Sequence, residues 1–145
     1  MTDGFKRILL VESESVLAEI TSFRLELLGY SVITVSSAED ALTQIAKSEP
    51  DLVITNLVLP GLDGTGLIER LSSEEETSNL PVMVLSTDGD LDRVQTVFHV
   101  GACDFLVVPF HMEALAEKVA LHLSTPREKK PKTKEWPLAK LECPR

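Results

Sequence analysis

The chain has 145 residues, 43% of them hydrophobic and 26% charged, with a formal net charge of −9. That length suits one folded domain with a sizeable core, and no apolar run reaches the roughly 20 residues needed to cross a bilayer. Residues 127–145 carry 7 basic and 3 acidic side chains (net +4), which leaves 7 basic and 20 acidic (net −13) in residues 1–126. An acidic body argues against nucleic acid on the main surface. The start of the chain leads directly into a strand pattern with no signal peptide, and Cys103 and Cys143 form no metal-ligand spacing. Two lone cysteines fit a reducing cytosol, so a cytoplasmic location is expected.

In chain order, Lys6 to Val11 reads as a fully buried strand, closed by the helix-capping candidates Glu12 to Ser15. Val16, Ile20, Phe23, Leu27 and Leu28 recur at helical spacing, and Gly29 suits the helix end. Tyr30–Val35 is a second strand. A second helix follows, with Ala38, Leu42, Ile45 and Ala46 on its apolar face. The breaker Glu49-Pro50-Asp51 precedes the third strand, whose core is Leu52 to Ile54. That strand delivers Thr55 and Asn56 into the turn Pro60-Gly61-Leu62-Asp63-Gly64. Gly66–Leu71 carries a third helix that gives way to the acidic stretch 72–79. The remaining elements are a strand at Pro81–Leu85, a helix at Leu91–Val100, a strand at Phe105–Val108 and a periodic helix at Met112–Leu123. Five strand-then-helix units with short connections imply a doubly wound α/β fold: a five-stranded parallel sheet with helices on both faces. The folded domain is expected over 1–125, followed at 126–145 by a basic, disordered or extended Pro/Lys-rich tail that ends in the apolar hook Trp136-Pro-Leu-Ala-Lys-Leu141.

In such a sheet, ligands and chemistry sit at the carboxyl ends of the strands. Those ends present Glu12 and Ser13, then Asn56, then Ser86 and Thr87, then Val108 and Pro109. A divalent metal site is weakly provided for, because Glu12 is its one clear carboxylate and Asp63 should point to solvent. Failing a metal, Glu12 reads as a solvated or capped strand-end group. Asn56 is an amide and cannot attack a phosphoryl group as an aspartate would. Ser86 and Thr87 have no histidine nearby in sequence, and His99 and His122 read as helix-face residues without partners. No phosphate-binding glycine loop is present. The strand ends therefore point away from enzymatic catalysis.

Four segments taken together resemble the receiver domain of two-component response regulators. They are Ile-Leu-Leu-Val-Glu-Ser-Glu at 8–14, Pro-Asp-Leu-Val-Ile-Thr-Asn-Leu-Val-Leu-Pro-Gly-Leu-Asp-Gly at 50–64, Pro-Val-Met-Val-Leu-Ser-Thr at 81–87 and Gly-Ala-Cys-Asp-Phe-Leu-Val-Val-Pro-Phe at 101–110. The resemblance spans residues 6–124 and implies the flavodoxin-like (βα)5 receiver fold. It also implies a site in which an aspartate accepts a phosphoryl group beside Mg²⁺ held by an acidic pair. In this sequence Glu12 keeps the first acid and Ser13 replaces the second. Asn56 stands at the phosphoacceptor, Ser86 keeps the switch hydroxyl, Val108 replaces the lysine, and Phe105 takes the aromatic switch position. Loss of the acceptor carboxylate together with the lysine is physically coherent, since removing one alone would strand a charge at a cost of roughly 3–5 kcal/mol.

The resemblance thus implies a pseudo-receiver in a phosphorelay-type signalling system, with Mg²⁺ bound weakly or not at all. It would act by protein–protein interaction, with the face built from the fourth helix, fifth strand and fifth helix as the expected surface for partners or a homodimer. Arg93, Val97, Phe98 and Phe110 are the expected contact residues on that face, and Trp136 is a candidate anchor in the tail. The alternatives are residual regulation by phosphorylation or a small ligand at the altered pocket, and nucleic-acid or membrane binding through the basic tail.

Overall fold

The computed structural model describes residues 6–87 and 89–124, so the sequence-expected tail and Trp136 lie outside the described residues. Strands and helices alternate as β1 (Arg7–Val11), α1 (Ser15–Leu27), β2 (Ser31–Val35), α2 (Ala38–Ser48) and β3 (Leu52–Asn56). They continue as α3 (Gly64–Ser73), β4 (Val82–Ser86), α4 (Leu91–Val100), β5 (Asp104–Val107) and α5 (Met112–Ser124). The strands form one parallel sheet in the order β2-β1-β3-β4-β5. The winding direction reverses between β1 and β3, and the crevice at that switch point is where an open α/β sheet exposes polar strand ends.

The sheet is buried on both faces, as its nearly unbroken apolar strands require. Successive side chains alternate between two core layers. Leu9, Val11, Val53 and Val84 pack with residues of α2, α3 and α4, while Ile8, Leu10, Ile54 and Met83 pack with Leu25 of α1 and Leu115 and Val119 of α5. Helix α3 begins two residues before its expected start because the Asp63 carboxylate caps it, accepting from the Gly66 amide at 3.0 Å. Ala41, not Ala46, completes the buried face of α2.

Helix α1 departs most from its sequence expectation. It rests on the sheet through Ala18, Thr21 and Leu25, while the large apolar residues point outward, with Val16 60%, Phe23 60% and Leu27 66% exposed. At about 100° per residue, the stripe Val16-Ile20-Phe23-Leu27 lies almost opposite the buried stripe. The helix is apolar on two sides, so periodicity alone could not tell which side meets the sheet. The smaller residues allow the closer approach.

A buried polar network ties α5 to β5. Asp104 accepts hydrogen bonds from Lys118 Nζ at 2.8 Å and from its neighbour Phe105 N at 2.8 Å, and its Oδ2 lies 2.9 Å from His122 Nε2. His122 is therefore a buried, partnered residue and not the partnerless helix-face histidine expected from sequence. Burial by itself would raise the Asp104 carboxyl. The hydrogen bonds from His122, Lys118 and Phe105, with the Lys118 charge, outweigh burial and hold it below the ordinary aspartate value of 3.8.

Two stability outcomes follow from this packing. Leu10→Ala, at a fully buried strand position, should cost about 2–5 kcal/mol in urea denaturation without altering the far-ultraviolet spectrum. For Asp104 the folded carboxyl titrates below the unfolded one. Its stabilisation is therefore fully present above pH 3.8 and is lost as pH falls through the lower folded value. Asp104→Asn should lower the urea midpoint at neutral pH and flatten the acid limb of the stability curve; an unchanged acid limb would contradict this account.

Candidate functional site

The carboxyl ends of β1, β3 and β4 meet at the switch point, and there Glu12 and Asn56 are in direct contact. The Glu12 backbone amide extends the β1 pairing by donating to Val35 O at 2.9 Å, which draws its side chain into the crevice at 4% exposure. Of the two expected readings of this strand-end carboxylate, solvated or capped, burial excludes the solvated one. Burial of a carboxylate demands donors. Asn56 Nδ2 donates to Glu12 Oε1 at 2.9 Å, and Glu14 N donates to Glu12 Oε2 at 3.1 Å. The amide's oxygen is also engaged, since Asn56 Oδ1 accepts from Val58 N at 3.1 Å. This arrangement fixes the amide orientation, because only the NH₂ group can face a carboxylate.

The loop beyond β3 is held tightly against the strand. Gly64 N donates to Leu57 O at 2.8 Å, and a Cβ at Gly64 would overlap the Asn56 carbonyl oxygen. The close approach therefore requires glycine. Glu39 of α2 supports the same loop, its Oε2 accepting from Leu62 N at 3.3 Å. That support comes from a residue 23 positions away, and its sequence context gave no sign of it. Asp63 is exposed, as expected, and its carboxylate is occupied with capping α3.

The other expected site residues divide into two groups. Ser86 sits buried at the end of β4, and its carbonyl accepts from Val108 N at 2.8 Å, so the fourth and fifth strand ends do converge on the site. Val108 packs against the core layer shared with α1 and α5, and Phe105 packs half-buried against the opposite layer. Ser13 and Thr87 are exposed. The expected contact face on α4 and beyond is not assembled as drawn from sequence. Arg93 is exposed and Phe98 half-buried, but Val97 is fully buried among core residues. Phe110 packs on the α1/α5 core layer with the Arg24 guanidinium 5.7 Å above its ring, so it faces α1. Val97 is therefore a packing residue, placed by helix phase.

Asn56→Asp should reveal how the pair is balanced. It puts two carboxylates about 3 Å apart where an amide now donates. The variant should lose stability at pH 7 by about 1–3 kcal/mol, the cost of a buried group losing its donor. Part of that loss should return on acidification, as a shared proton relieves the repulsion. Urea midpoints at pH 7 and pH 5 decide the matter, and a variant as stable as the parent at pH 7 would refute the reading.

Comparison with known proteins agrees with this geometry. Residues 8–120 match the family model described as the response regulator receiver domain. The chain is 37% identical over 116 residues to the response regulator protein FleR of Pseudomonas aeruginosa, covering 80% of this chain and 24% of that protein. It is 36% identical over 115 residues to the "Probable transcriptional regulator ycf27" of Cyanophora paradoxa, covering 79% of this chain and 46% of that protein. The chain thus spans under half the length of both relatives. Among solved structures, it superposes with a TM-score of 0.77 and 30% identity on the signal receiver domain of a signal transduction histidine kinase from Syntrophus aciditrophicus, covering 82% of this chain and 90% of that one.

Proposed function

This chain belongs to the response regulator receiver domain family, and on that premise we propose that it is a pseudo-receiver, a signalling module that binds a protein partner without accepting a phosphoryl group. The observation that carries this reading is the hydrogen bond from Asn56 Nδ2 to Glu12 Oε1. At the position where the family resemblance calls for a nucleophilic carboxylate, an amide occupies the one remaining acid. Phosphoryl transfer draws its rate from positioning and charge stabilisation, and these residues supply little of either.

The donor set does not fit Mg²⁺. A near-octahedral oxygen shell normally includes one or two free carboxylates. Here both Glu12 oxygens already accept protein hydrogen bonds, and Ser13 stands where the second acid would be. Val108 adds no cation to steady transferred charge. The site instead satisfies itself with neutral and hydrogen-bonded groups, which favours one fixed conformation.

A partner-binding role is supported by apolar surface where the fold does not need it. The α1 stripe and the exposed Leu91 and Val107 on the α4/β5 side are large side chains left outside the two core layers. We further propose that residues 126–145 form a basic extension separate from the receiver domain, and that no membrane span is involved. No helix among the described residues is long and apolar enough to cross a membrane.

The test is intact-mass spectrometry after incubation with Mg²⁺ and a small-molecule phosphoryl donor. The native chain should gain no adduct. Asn56→Asp alone should gain little, and the combined Ser13→Asp, Asn56→Asp, Val108→Lys variant should become labelled in a Mg²⁺-dependent way. Stoichiometric labelling of the native chain would overturn the proposal and identify another acceptor carboxylate.

A further inference from the structure

At the end of the sheet opposite the switch point, a thiol, an imidazole and a carboxylate stand in line. Cys103 precedes β5, and its Sγ lies 3.4 Å from His122 Nδ1 in the last turn of α5. The other ring nitrogen, Nε2, lies 2.9 Å from Asp104 Oδ2, and Lys118 Nζ holds the second Asp104 oxygen at 2.8 Å. Asp104 and His122 are buried, whereas Cys103 lies outside any disulfide and is of intermediate burial. A carboxylate facing Nε2 fixes the proton there, so Nδ1 is the nitrogen left to accept from the thiol. This is the order of groups in which a base orients and activates a sulfur nucleophile, and the carboxylate in turn orients the base.

We propose that Cys103 is a reactive thiol activated by His122, with Asp104 and Lys118 as positioning residues, and that it is a site of oxidation by hydroperoxides. This inference stands on the α5–β5 junction and does not depend on the receiver pocket. The Cys103 S–H proton passes to His122 Nδ1, leaving a thiolate beside an imidazolium paired with Asp104. The thiolate attacks one peroxide oxygen, an S–O bond forms and the O–O bond breaks. The departing hydroxide of hydrogen peroxide, or the alkoxide of an organic hydroperoxide, takes the imidazolium proton and leaves as water or alcohol, and Cys103 becomes a sulfenic acid. Sulfur is oxidised by two electrons and the peroxide is reduced by the same two.

Beside the thiol stands His122 of α5, with Asp104 of β5 and Lys118 of α5 linked beyond the ring. The adjoining strand β4 brings the Val82 carbonyl, which accepts from Cys103 N at 2.9 Å, and no ionisable side chain.

The test uses the full-length chain and follows Cys103 and Cys143 separately in the same digest. Iodoacetamide alkylation rates are measured from pH 5 to 10, with Cys143 as the internal reference thiol. Cys103 should show a reactivity midpoint at least about one unit below the ordinary thiol value of about 8.5. Treatment with hydrogen peroxide and dimedone should label Cys103 in preference to Cys143. His122→Asn should move the Cys103 midpoint back to the ordinary range or above, and Asp104→Asn should move it part of the way. A native Cys103 midpoint at or above the ordinary value, or a thiol that resists alkylation until the chain unfolds, overturns the proposal without recourse to any variant. A midpoint unchanged in a folded His122→Asn chain overturns it as well.

Discussion

A parallel sheet covered by helices on both faces leaves almost no freedom inside. Its strands must be apolar along their length, and each backbone group must find its partner in a neighbouring strand. Polar side chains are pushed to the strand ends, where Glu12, Asn56 and Ser86 gather at one end, and Asp104 starts β5 at the other. Both clusters in this protein arise from that constraint. Each places a buried carboxylate where the sheet stops, and each must then supply it with donors.

The two clusters resolve the same demand in different ways. At the switch point the donors are an amide side chain and a backbone N–H, and the result is a carboxylate whose oxygens are both occupied. At the α5–β5 junction the partners are the ionisable side chains of Lys118 and His122.

Helix α1 shows how burial is allotted when a helix offers more apolar surface than the sheet can use. The face bearing Ala18 and Leu25 lets the helix lie close to β1 and β2, and close approach gains more dispersion contact than one bulky residue held at a distance. The bulky residues are left in solvent, available to a partner.

Much of this was legible in the chain alone. The alternation of short apolar runs with periodic segments fixed the element order and the parallel sheet, because periods of 2 and 3.6 are local properties of a backbone. The position of Asn56 at the end of β3 was legible for the same reason, as was its inability to act as a carboxylate, which is a matter of covalent chemistry. What the sequence could not decide were the contacts that depend on three-dimensional phase. Glu12 and Asn56 are 44 residues apart, and Cys103 and His122 are 19 apart. Only the crossover of β1 beside β3, and the return of α5 along the sheet, bring those pairs within hydrogen-bonding reach. The rotation of α1 about its own axis, the burial of Val97 and the turning of Phe110 toward Arg24 were likewise set by packing. A periodic pattern says that a helix has an apolar face, but only the surface it meets determines which face is buried.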